Sequence, residues 1–289
     1  MSAWSARDMP DQGGRRFIIT GANSGLGASM ARALAGAGAT VTLACRNLDK
    51  AEAVATDIGA AATVTHLDLA DLSSVREFAD TVDEVDVLIN NAGVLALPLR
   101  RTIDGFEMQM GTNHLGHFAL TALLMPRVAE RVVTMSSLAQ NFGRVRPDDL
   151  NWERRRYNRW AAYGDSKLAN MVFGRELSRR LTESGSGVRS VAAHPGYADT
   201  GLMGHSESFM DYVTRAGARL KVGQSADEGA LPALYAATMD VPNGSYWGPR
   251  LVLWGGPSTA RYRPLADEQA VRDRLWAASE KLTGIPFEI

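Results

Sequence analysis

The chain has 289 residues, a formal net charge of −1, 45% hydrophobic and 22% charged residues, and a single cysteine, Cys45. This balance suits a soluble globular protein with a sizeable core, and the near-zero charge leaves no electrostatic footprint for nucleic acid or an anionic membrane. One cysteine excludes an internal disulfide and a thiolate metal cluster, and it fits a reducing, cytoplasmic compartment.

Residues 1–14 (MSAWSARDMPDQGG) are polar, do not read as a signal peptide and are expected to be flexible. No later stretch approaches the ~20 apolar residues that span a bilayer, so no membrane insertion is expected. The β-branched run Arg16–Thr20 leads straight into Gly21-Ala22-Asn23-Ser24-Gly25-Leu26-Gly27, where a helix begins near Gly25. Glycines allow positive φ and close backbone approach, and a helix N-terminus offers free N–H groups to a phosphate. The spacing is GxxxGxG rather than GxGxxG. Its position between strand and helix, at the head of a βαβ unit, still reads as a dinucleotide site.

The second strand, Thr40–Cys45, ends in Arg46-Asn47 with no acid for a ribose 2′-hydroxyl. Arg46 is placed to fork onto a 2′-phosphate, which favours NADP(H) over NAD(H). A helix begins near Leu48, and a third strand, Thr63–Leu67, precedes Asp68-Leu69. Asp68 either accepts from an adenine amino group, with Leu69 against the ring, or caps the helix beginning near Asp71. The fourth strand, Asp86–Asn90, runs into Asn91-Ala92-Gly93, small enough to let a nucleotide lie on the sheet edge.

Another helix is expected from near Asp104 and carries Asn113. The fifth strand, Arg131–Ser136, is closed by Ser137, whose hydroxyl can orient and polarise a substrate oxygen. Ser136 lies in the strand and is the weaker candidate. Gln140–Trp160 is polar, basic and tryptophan-rich, a surface excursion or a wall beside the substrate. In the helix beginning near Trp160, Tyr163 and Lys167 lie four residues apart on one face. A neighbouring ammonium and an oxidised nicotinamide favour the phenolate, which makes Tyr163 an acid/base near neutrality. Val188–His194 is the sixth strand. Ala198–Val222, with Met203, Phe209, Met210 and Tyr212, is a candidate substrate lobe, and Ala266–Gly284 docks on its own subunit or a neighbour.

Alternating strands and helices without a composition break predict one domain, 1–289, built as an α/β doubly wound parallel sheet, a Rossmann fold. In this order, TGANSGLG, NNAG, the Asn113 helix, the Ser137–Tyr163–Lys167 set and HPGYADT (His194–Thr200) resemble the short-chain dehydrogenase/reductase family. TGANSGLG, ACRN, SSLAQNFGRV and YGDSKLAN are more narrowly similar to its retinol-dehydrogenase-like branch. The resemblance implies strand order 3-2-1-4-5-6-7 and catalytic roles for Asn113, Ser137, Tyr163 and Lys167. It also implies a nicotinamide side lined by Pro195, Gly196 and Thr200, and a homodimer or homotetramer built on the Asn113 and Tyr163 helices. Asn113 would hold a water beside Lys167, and Lys167 would hold the nicotinamide ribose. Two departures stand out. Gln140–Trp160 lengthens the Ser137-to-Tyr163 interval, and Ala28 stands where relatives often carry a lysine, leaving the NADP(H) preference on Arg46. The activity implied is hydride exchange between NADP(H) and a small apolar alcohol or carbonyl. A catalytically silent NADP(H)-binding regulator is the alternative, and the presence of both Tyr163 and Lys167 argues against it.

Overall fold

Residues 4–197 and 224–289 are described by the computed structural model of the chain. β1 (Arg16–Thr20) lies at the centre of the sheet because four of its five side chains are buried, between β2 (Thr40–Cys45) and β4 (Val85–Asn90). With β3 (Ala62–His66), β5 (Val128–Met135), β6 (Arg189–Ala193), β7 (Tyr246–Pro249) and β8 (Pro257–Thr259), the order is β3-β2-β1-β4-β5-β6-β7-β8. All neighbours are parallel except β8, which pairs antiparallel with β7 through Trp247 and Thr259. The doubly wound sheet of the sequence reading is present, with one antiparallel strand added at its edge. Because β1 pairs with β2 on one side and β4 on the other, the crevice between their carboxyl ends is the switch point where such sheets bind ligands.

On one face lie α1 (Gly25–Gly36), α2 (Leu48–Ile58) and α7 (Ala226–Thr238). On the other lie α3 (Leu72–Asp80), α5 (Gly116–Leu124), α6 (Arg159–Glu183) and α8 (Gln269–Thr283). The helix expected from Asp104 starts later, with a short α4 (Met108–Met110) and a π-turn at Gly111–Leu115 ahead of α5. Asp104 is used elsewhere: its carboxylate accepts from the Leu72 amide of α3 at 3.0 Å. Glu107 supplies the cap instead, accepting from the Gln109 and Met110 amides at 3.0 and 2.7 Å.

Two segments are tied down more firmly than the sequence indicates. Residues 1–14 read as flexible, yet in the described part, residues 4–14, Trp4 packs edge-on against Tyr235 at 5.2 Å and the backbone N–H of buried Gln12 donates to the Ala37 carbonyl at 2.7 Å. Helix α8 docks on its own subunit. Trp276 and Phe287 each meet the Phe118 ring at 5.3 Å, and Ser279 Oγ lies 2.9 Å from His114 Nε2. Among the described residues no helix is long and apolar enough to cross a membrane.

Candidate active site

After Thr20 the chain turns through Gly21 (φ 67°) and enters α1 at Gly25 (φ 52°), angles that L side chains strain to adopt. Space is equally restrictive. A Cβ on Gly27 would fall 2.4 Å from the Gly21 carbonyl oxygen and 2.8 Å from Asn91 Nδ2. Ser24 at the N-cap makes no side-chain capping bond, so the first-turn amides of α1 keep their donors for a cavity of about 370 Å3. Behind the loop, Cys45 is buried close to Ala22 and Asn23, and burial pushes the thiol up to about 11.

Gly21, Asn23, Ser24, Gly25, Leu26 and Gly27 form one end of that cavity, with Arg46, Asp68 and Leu69 beside them. Asn91, Ala92 and Gly93 continue its wall, and Ser137, Tyr163, Lys167, Pro195 and Gly196 line the part beyond. Arg46 keeps 68% of its side chain exposed, with the Asp68 carboxylate 3.9 Å away. Asp71, not Asp68, caps α3 by accepting from Ser73 N at 2.8 Å, which leaves Asp68 facing Arg46. Thr200 and the expected lobe Ala198–Val222 lie outside the described residues, apart from which every expected cofactor contact borders this one cavity.

Ser137 lies two residues past the end of β5, where its Oγ accepts from the Ala139 amide at 3.2 Å, while Asn158 caps α6 and so fixes the phase at which Tyr163 and Lys167 emerge. The nearby Ser137 hydroxyl favours the phenolate of Tyr163, but burial is the larger effect and raises the phenol. Lys167 Nζ is 6.0 Å from the tyrosine ring centroid and donates to the Met135 carbonyl at 3.3 Å. Burial pushes its ammonium down to about 8. Ser136 also borders the cavity, but its hydroxyl donates to the Lys167 carbonyl at 2.9 Å, leaving Ser137 as the serine free to face Tyr163.

Asn113 is fully buried in the π-turn and does not line the cavity. Its Oδ1 accepts from Val94 N at 2.7 Å, and its Nδ2 donates to the Val94 carbonyl (3.0 Å) and Ser166 Oγ (2.9 Å). Both amide hydrogens are therefore used within the protein. Oδ1 and Lys167 Nζ both lie close to Gly93: a Cβ there would fall 3.1 Å from Oδ1 and 3.4 Å from Nζ.

The sequence reading passed over Val94, Leu95, Met135 and Tyr197, which also line the cavity. Val94 and Leu95 directly follow NNAG, a proximity that was the available signal. The Gln140–Trp160 excursion is stitched to the same region. Phe142 covers Gly164, where a Cβ would meet its ring at 2.8 Å, and the Tyr157 hydroxyl lies 2.9 Å from the Leu97 carbonyl and 3.0 Å from Glu107 Oε1.

Residues 15–211 match the family model for short chain dehydrogenases. The chain belongs to the short-chain dehydrogenase family. Human retinol dehydrogenase 13 is 42% identical across 94% of this chain and 85% of its own length, and human retinol dehydrogenase 11 is 38% identical across 95% and 87%. A solved structure of an uncharacterized protein from Mycobacterium Paratuberculosis superimposes with TM-score 0.88 at 49% identity, covering 100% of both chains. As a short-chain dehydrogenase of the retinol-dehydrogenase-like kind, the protein is an oxidoreductase that uses a nicotinamide dinucleotide to exchange hydride with an alcohol or carbonyl compound. The site fits that cofactor, because the first-turn amides of α1, left free by Ser24, face the cavity at the switch point of the sheet.

Proposed function

We propose that the protein is an NADP(H)-dependent oxidoreductase that interconverts a hydrophobic alcohol and its aldehyde or ketone, with Tyr163 as the acid/base. The observation that carries this reading is that Ser137 and Tyr163 line the same cavity as the glycine loop, with buried Lys167 one turn along α6.

When bound, the nicotinamide supplies or takes the hydride. The Gly21–Gly27 loop holds the pyrophosphate on the amides of α1, and Arg46 meets the 2′-phosphate with its guanidinium fork. Asp68 and Leu69 would hold the adenine, Asn91–Gly93 would support the middle, and Pro195 and Gly196 would line the nicotinamide side, with Thr200, outside the described residues, proposed to join them. Tyr163 gives a proton to the substrate oxygen in reduction and removes it in oxidation. Ser137 donates to that same oxygen as charge develops. Lys167 holds the nicotinamide ribose and works against the burial that raises the tyrosine. Asn113 Oδ1, which like Lys167 Nζ lies close to Gly93, holds a water on the proton path.

Relatives named for retinol and the apolar side chains Val94 and Leu95 on the cavity support an apolar substrate. The substrate lobe at Ala198–Val222 belongs to the same proposal, as does a reducing, cytoplasmic setting for a chain with one buried cysteine. So does assembly as a homodimer or homotetramer, through surfaces other than the part of α5 and α6 that α8 covers; light scattering tests it.

Titration with NADPH and NADH, followed by nicotinamide fluorescence, tests the cofactor reading. NADPH binds more tightly and Arg46→Ala removes the preference; equal affinities for the two nucleotides would remove Arg46 from the site. A screen of apolar aldehydes and ketones with Tyr163→Phe as the inactive control then tests the chemistry.

A further inference from the structure

His117 belongs to no motif used so far, yet it is 2% exposed and spans three elements of the cofactor crevice. Its Nδ1 lies 3.0 Å from the Asn113 carbonyl oxygen in the π-turn, and its Nε2 lies 2.8 Å from Thr20 Oγ1 at the end of β1. The same hydroxyl oxygen accepts from the Asn91 and Ala92 amides, both at 2.9 Å.

Counting protons fixes the imidazole. A carbonyl oxygen can only accept, so Nδ1 carries the hydrogen that points at Asn113. Thr20 Oγ1 spends both lone pairs on the two amides and keeps one hydrogen to give. The alternative acceptor, the Ile89 carbonyl, is 3.5 Å away, so the 2.8 Å contact to Nε2 takes it. Nε2 is therefore bare, and the ring is neutral with its proton on Nδ1. Burial pushes the imidazole down to about 3, and nearby Lys167 disfavours a second proton as well.

We propose that His117 is a positioning residue: as the Nδ1–H tautomer it locks the Thr20 hydroxyl, which then holds the Asn91–Ala92 wall against the cofactor while the same ring fastens the Asn113 turn. Without the imidazole, the Thr20 hydrogen keeps only the long contact to the Ile89 carbonyl at 3.5 Å, and its oxygen is free to rotate away from the two amides. The cofactor wall and the turn facing Lys167 then lose their common brace. The inference rests on the proposed dinucleotide site for its functional half, and on hydrogen-bond geometry alone for its tautomer half.

The two halves are tested separately. In protein labelled with 15N-histidine, the ring resonances that vanish in His117→Gln are expected to show a protonated Nδ1 and a bare Nε2 between pH 6 and 8. An Nε2–H tautomer or a charged ring overturns the proposal even if the variants fail to fold. For function, NADPH dissociation constants are measured for His117→Leu, Thr20→Val, the double variant and Thr20→Ser. Each of the first two is expected to weaken binding about tenfold, with the double variant no weaker than the worse single, because they break one relay. Thr20→Ser, which keeps the hydroxyl, is expected to bind as wild type. Multiplicative losses, or a Thr20→Ser as poor as Thr20→Val, overturn it. A wild-type chain that binds neither NADPH nor NADH sinks the cofactor reading instead, and leaves the tautomer result standing.

Discussion

The two ends of the cavity are built from different materials. Around α1 the ligand-facing surface is main chain: amides of the first turn, glycines where a Cβ collides, and one exposed arginine. Around α6 it is side chain: a raised phenol, a lowered ammonium and a serine, all set by burial and hydrogen bonds. A surface of amides binds without regard to pH and fails by steric intrusion. A surface of titratable side chains does chemistry and fails by loss of a single group.

Tyr163→Phe sharpens that contrast most. It is expected to reduce turnover about 10³-fold, the size of a lost general acid/base, while NADPH affinity measured by fluorescence stays near wild type. Gly27→Ala is the mirror image at the other end. Overpacking against Gly21 and Asn91 costs roughly 3 kcal/mol, lowering the melting temperature and abolishing nucleotide binding together.

Lys167→Met tests the side-chain end through stability. The buried ammonium is held at about 8 against 10.5 when free, so between those values the unfolded chain binds a proton that the folded chain does not. Wild-type stability rises with pH across that window, and the burial penalty is full below pH 8. The variant is expected to melt higher than wild type at pH 7, by up to roughly 3 kcal/mol, with the gap closing towards pH 10.5 and turnover lost. A variant less stable at pH 7 breaks the account. Arg46→Ala is expected to cost about 2 kcal/mol of NADPH binding, a charged hydrogen bond's worth, and nothing for NADH. Tyr157→Phe, which cuts the excursion's tie to Leu97 and Glu107, is expected to lower stability by about 1 kcal/mol in denaturant titrations.

The backbone end was the legible one. β1 and β2 were bounded to the residue from their β-branched runs, and the glycine loop announced itself by spacing and position. The helix near Asp104 was misplaced because which acid caps which helix is decided in three dimensions: Asp104 serves α3, and Glu107 starts α4. β7 and β8, of four and three residues and holding Gly248, Pro249 and Pro257, are too short for periodicity to show. His117 was invisible for a further reason. A polar residue in an apolar helix gains meaning only from partners 97 positions away, such as Thr20.

Cys45 gives this crevice a chemical clock. A thiol held at about 11 and buried beside Ala22 and Asn23 of the glycine loop is inert to alkylation until that loop lifts off it. As the chain's sole cysteine, it makes the modification rate of the whole protein a direct count of how often that loop opens, and of how far a bound nucleotide keeps it shut.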